Sequence, residues 1–127
     1  MIDRQSVTKW LQKYIHAWKT YDREEITSLF SENADYRYNP YDKPLHGQQA
    51  IVESWLESPD APDSFSADYK PVAVEGDTAV SNGRTLYYEA DGKTVKQQFD
   101  NIFVMQFDQN GRCADFCEWF MQPRKVV

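Results

Sequence analysis

At 127 residues the chain reads as one domain spanning 1–127, long enough to bury roughly two-thirds of the surface that its unfolded form exposes. A net charge of −6 argues against polyanionic partners such as DNA or RNA. No apolar run follows Met1, which argues against a signal peptide and a membrane span, so the expected location is cytoplasmic.

Val7, Trp10, Leu11, Tyr14, Ile15 and Trp18 recur at helical spacing and predict a first helix, with Asp3 or Ser6 as its N-cap. Asp22 followed by Glu25 predicts the start of a second helix, which buries Ile26, Leu29 and Phe30. A short strand is expected from Asp35 to Asn39, ended by Pro40. Alternation along it sends only one of Tyr36 and Tyr38 inward. His46 is expected to cap a third helix that carries Ile51, Val52 and Trp55.

After the loop from Ser58 to Ser64, four strand patterns occupy roughly 65–75, 78–89, 94–107 and 112–121. Turn residues separate them at 75–77, 91–92 and 108–111. Helices first and a meander of strands afterwards predict an α+β fold: a curved mixed or antiparallel sheet wrapped around three N-terminal helices, with a pocket between them. Cys113 and Cys117, four apart on one strand, would hold their Cα atoms roughly 13 Å apart, too far for a disulfide. They read as packing residues in a reducing compartment.

The turns also predict a register. A two-residue turn at Asp91-Gly92 pairs Arg84 with Phe99 and Asn82 with Asn101. A four-residue loop from Asp108 to Gly111 pairs Phe103 with Phe116 and Asn101 with Glu118. One face then carries Leu86, Phe99, Phe103, Met105, Phe107, Ala114, Phe116 and Phe120, with Asn82, Arg84, Asn101 and Glu118 converging at its centre. The other carries Ile102, Val104, Cys113, Cys117, Trp119 and Met121, too apolar to face only water. A homodimer through this outer face is the simplest cover.

A buried Glu118 needs a partner, and Arg84 is the one the register offers. Two readings stand side by side: a satisfied buried ion pair, or a polar patch at the base of an apolar cavity that orients or deprotonates a ligand. In the second, Glu118 is the general base or acid, oriented by Arg84 and Asn101, and Tyr14 donates to a developing oxyanion. Asn82, Asn101, Trp18, Asn39, Trp55, Phe99, Phe103, Phe116 and Phe120 complete the expected site. Asn39, ahead of Pro40 where the strand leaves the sheet, suits a turn before proline better than a ligand contact. With only His16 and His46 available, a histidine metal site is not expected, and no nucleotide or dinucleotide fingerprint implies a cofactor.

The segments Trp10-Leu-Gln-Lys-Tyr-Ile-His-Ala-Trp18, Tyr21-Asp-Arg-Glu-Glu-Ile26, Leu29-Phe-Ser-Glu-Asn-Ala-Asp35, Pro44-Leu-His-Gly-Gln-Gln-Ala-Ile51 and Val104-Met-Gln-Phe-Asp-Gln-Asn-Gly-Arg112 carry a resemblance. In their order the chain resembles the nuclear transport factor 2-like superfamily, in particular its SnoaL-like branch. The resemblance implies a cone-shaped α+β barrel, a deep pocket between sheet and helices, and a sheet-to-sheet dimer. Delta-5-3-ketosteroid isomerase, of the same superfamily, sets a tyrosine and a protonated aspartate against the ligand oxygen while a second aspartate moves the proton. The tyrosine falls on Tyr14, but the base falls on Asn39 and the other acid on Phe103. Two of those three groups are missing, so the resemblance does not imply steroid isomerisation. The expected function is a pocket for a small apolar or aromatic molecule, with acid–base chemistry of isomerase, cyclase or hydratase type. The alternative is a non-catalytic ligand-binding or dimerisation module.

Overall fold

A computed structural model describes residues 2–124. Helix α1 (Arg4–Thr20) is capped reciprocally: Asp3 accepts from the Ser6 N–H, and Ser6 Oγ accepts from the Asp3 N–H. Both expected capping residues therefore act together. The helix buries Val7, Trp10, Leu11, Tyr14 and Ala17 and ends at Tyr21 in the left-handed region (φ 50°). Helix α2 (Arg23–Leu29) starts on Asp22, whose carboxylate accepts from the N–H groups of Glu24 and Glu25. The Glu25 side chain does not close a capping box; it accepts from Thr20 and pairs with His16.

The first long strand differs from the expectation. Strand β1 runs Phe30–Arg37 rather than 35–39, because α2 stops after two turns and the chain enters the sheet at Phe30. Its main partner, β6 (Cys113–Met121), lies parallel to it and far away in sequence, so nothing local announces the pairing. Strand β2 (Leu45–His46) pairs antiparallel with β1. His46 is thus a strand residue whose Nδ1 meets Asp35 Oδ1 at 2.7 Å, and Gly47 caps α3 (Gln48–Glu57) instead. The remaining strands are β3 (Phe65–Glu75), β4 (Thr78–Tyr88) and β5 (Val95–Phe107). Six strands form one open mixed sheet in the order β2-β1-β6-β5-β4-β3, and β3 to β6 make a continuous meander. One face of the sheet packs on the helices, and Phe30, Tyr36, Phe103, Met105 and Phe116 join the helical stripe in a single core.

Bulges in the meander decide which side chains reach that face. Tyr88 pairs with Val95, in phase with the expected turn at Asp91-Gly92. Lys96 is then left without a partner, Tyr87 pairs with Gln97, and the rest of the ladder moves by one residue. A shift of one exchanges the faces of β4. Arg84 and Asn82 accordingly project outward, Leu86 leaves the inner face, and Thr85 and Tyr87 turn inward. Between β5 and β6 the displacement is two residues, one at the loop and one at a bulge at Ala114. A shift of two preserves the faces, so Glu118 still points inward, although its direct partner is Phe103 and not Asn101. Cys113 lies before that bulge and is buried in the core, not on the outer face. Both cysteines are free thiols.

Candidate functional site

A cavity of about 600 Å³ opens between the helices and the inner sheet face. Its interior is built from rings on separate elements: Tyr14 of α1, Tyr36 of β1, Trp55 of α3, Tyr69 of β3 and Phe103 of β5. Phe116 stands behind them. Its ring stacks on Tyr36 at 4.5 Å and 2° and on Tyr14 at 5.6 Å and 15°. It is a packing residue that fixes two lining tyrosines and does not itself line the cavity.

The Tyr14 and Tyr36 hydroxyls lie 3.0 Å apart. Burial, reinforced by the negative charge of Glu118, holds both phenols well above their ordinary pKa, so both stay protonated. One proton is used within the pair; the other remains available to a ligand oxygen. The Trp55 N–H is buried without a hydrogen-bond partner among the described residues, although its influence on Tyr36 is in the direction that favours that phenolate.

Glu118 is the acid of the interior. Desolvation pushes its carboxyl up to about 7, opposed by a hydrogen bond from Asn101 Nδ2 at 2.7 Å. Asn101 is itself held by Thr85, whose Oγ1 donates to Asn101 Oδ1 at 2.8 Å. Thr85 has one proton and commits it to Asn101, so the Tyr69 hydroxyl must be the donor in its contact with Thr85. A directed chain from Tyr69 through Thr85 and Asn101 therefore aims an amide N–H at Glu118. Gly83 makes this chain possible: it pairs with Tyr69 on the same face, and its missing side chain leaves room for the Tyr69 ring.

At the mouth, Trp18 stacks on Phe65 at 3.8 Å and donates its indole N–H to Asp60 Oδ2 at 3.0 Å. The Tyr21 hydroxyl accepts from the Asp60 N–H at 2.8 Å. These contacts tie the loop between α3 and β3 to the end of α1. Tyr38, expected to share the inward position with Tyr36 as an either-or, lines the cavity beside it because the strand ends at Arg37 and the chain bends. Its hydroxyl lies 3.0 Å from Ser54 Oγ.

Of the residues expected from the sequence, Glu118, Tyr14, Asn101, Trp18, Trp55, Phe99, Phe103 and Phe120 line the cavity. Arg84, Asn82, Asn39 and Phe116 do not. Arg84 Nε meets Asp100 Oδ1 at 3.2 Å on the outer face, more than half exposed, so the expected Arg84–Glu118 pair does not exist. Asn82 is exposed on the same outer face. Asn39 accepts from the Tyr41 N–H and serves the turn. Thr85 and Tyr87 were hidden by the Lys96 bulge, Tyr69 lies on β3, whose register on β4 shifts again near Val72, and Asp60 lies in a loop that carries no periodicity. Among the described residues no three His, Cys, Asp or Glu side chains gather as a metal would need, and His16 and His46 each face a carboxylate.

No described helix is long and apolar enough to cross a membrane. No curated protein sequence matches the chain significantly. Solved structures do. An NTF-2-like protein of unknown function from Burkholderia xenovorans LB400 superposes with a TM-score of 0.71 at 14% identity, over 97% of this chain and 88% of that one. A candidate ketosteroid isomerase from Kribbella flavida DSM 17836 superposes with a TM-score of 0.67 at 12% identity, over 98% and 84%. At such identities these likenesses establish the fold, the NTF2-like α+β cone expected from the sequence. The sequence model of the SnoaL-like domain matches residues 11–116, and on that match the chain belongs to the SnoaL-like family.

Proposed function

We propose that the chain binds a small apolar or aromatic molecule in this cavity and that Glu118 moves protons on it, in an isomerase, cyclase or hydratase type of reaction. The observation that carries this reading is a buried carboxyl at about 7, in an aromatic cavity, held by an aimed amide. Such a group gives up and takes back a proton near neutrality at little cost, which acid–base catalysis requires. The free hydroxyl proton of the Tyr14–Tyr36 pair serves as donor to a ligand oxygen. Arg84 has no part in it.

Exchange of the α-protons of 2-tetralone in D2O, followed by NMR, tests the proposal without knowledge of the natural substrate. Exchange should exceed the buffer rate, and Glu118→Gln should slow it by about 10²–10⁴-fold. Equal rates for parent and variant would remove Glu118 from the chemistry. Saturable binding without exchange in either protein would identify a non-catalytic binding module.

The outer sheet face supports a second copy of the chain as partner. Ile102 and Trp119 pair across β5 and β6, with Val104 and Met121 beside them, and all four are exposed. Arg84 and Asp100 set opposite charges side by side on the same face, the self-complementary rim that a two-fold contact needs. Light scattering after size exclusion should give a dimer at micromolar concentration and a monomer for Ile102→Asp. A monomeric parent protein would contradict the assignment.

A further inference from the structure

Among the described residues the cavity carries carboxylates and no counter-charge. Glu57 and Asp60 stand on its rim and Glu118 inside, and among the described residues no Lys, Arg or His lines it. None of the three acids has a cation within ion-pair distance among those residues. Most of the remaining lining is aromatic, and ring faces attract cations through their quadrupole.

Asp60 is the best placed of the three to meet a ligand's charge. Its Oδ2 accepts from Trp18 and Tyr21, while Oδ1 accepts nothing among the described residues. The Tyr87 ring lies 6.3 Å from that of Trp18, on the same side of the mouth. The carboxylate fields reach across the opening: after burial, the charges of Asp60 and Glu118 are the next causes that hold the Tyr87 phenol above its ordinary pKa. A carboxylate or phosphate brought here meets like charge, with no cation among the described lining residues to neutralise it. A net charge of −6 adds attraction of cations at longer range.

Resting on the reading of this cavity as a small-molecule site, we propose that its ligands are organic amines, protonated at neutral pH. The ammonium sits at Asp60 on the rim and the carbon skeleton lies among the interior rings. This orientation leaves the buried end of the ligand to Glu118 and the Tyr14–Tyr36 pair.

Three probes of one skeleton separate charge from shape: 1-naphthylmethylamine, 1-naphthylmethanol and 1-naphthoate, titrated calorimetrically near neutral pH. The amine should bind about tenfold tighter than the alcohol, and the carboxylate weakest of all. Asp60→Asn should bring the amine down to the level of the alcohol, and Asp60→Glu should restore the difference. Equal affinity of amine and alcohol, carboxylate binding as tight as the amine, or no heat from any of the three at millimolar concentration would overturn the proposal. The role of Glu118 is decided separately: a cavity that prefers the alcohol but exchanges 2-tetralone protons only with Glu118 intact sinks the amine and spares the proton-transfer reading.

Discussion

Near pH 8, Glu118→Gln should stabilise the fold by about 3 kcal/mol, a rise of about 10 °C in melting temperature, and near pH 4 it should change nothing. The carboxyl titrates near 4.5 when exposed and at about 7 in the cavity. Between those values the folded protein keeps a proton that the unfolded chain has released, so protons favour the fold. Stability therefore falls as pH rises from about 4.5 to 7, and the penalty is complete above the folded value. Gln cannot ionise and escapes the penalty, while its carbonyl still accepts from Asn101. Thermal melts of both proteins across this range provide the check. A variant that melts lower than the parent above pH 7 would mean that ionised Glu118 is a stabilising partner, the buried ion pair in another form. The same comparison bears on function, since a carboxyl kept at such a cost to folding is the kind of group an active site retains.

Gly83→Ala is expected to destabilise by about 3 kcal/mol or more, despite adding a single methyl group. A Cβ at this position would collide with the Asp68 carbonyl oxygen and lie 2.7 Å from the Tyr69 Cα. Backbone cannot swing aside as a flexible side chain can, so β3 must separate from β4 or the bulged ladder must rearrange. Either response withdraws the Tyr69 hydroxyl from Thr85 and leaves Asn101 free to turn away from Glu118. Urea denaturation should show the loss of stability, and NMR titration of the Glu118 carboxyl should show its pKa rising further as the opposing hydrogen bond weakens. A variant with unchanged midpoint would show that the two strands have slack at this crossing. Unchanged stability with a shifted Glu118 would separate the hydrogen-bond chain from the sheet that carries it.

Much of the site was legible because its inner positions follow from two periodicities. Tyr14, Trp18 and Trp55 fall on apolar helical stripes, and Phe99, Asn101, Phe103, Glu118 and Phe120 alternate along two strands. Glu118 kept its inward aim despite a wrong register because two single-residue shifts between β5 and β6 cancel in parity. Arg84 lost its place because only one shift lies between β4 and β5. The same bulge delivered Thr85 in its stead, so Asn101 and Glu118 are organised by hydroxyls and not by a guanidinium. Phe116 was assigned to the right face but lies one layer too deep to meet a ligand.

Local patterning alone determined that helices precede a meander, where the turns fall, and that an apolar inner face holds an acid and an amide. Those features follow from side-chain spacing and turn chemistry within a few residues. The parallel docking of β1 on β6, the unpaired Lys96, the loop held by Asp60 and the lack of a cation beside Glu118 among the described residues were decided in three dimensions. A bulge costs little locally, and its position is chosen by what the whole sheet gains in burial, a quantity summed over strands far apart in the chain.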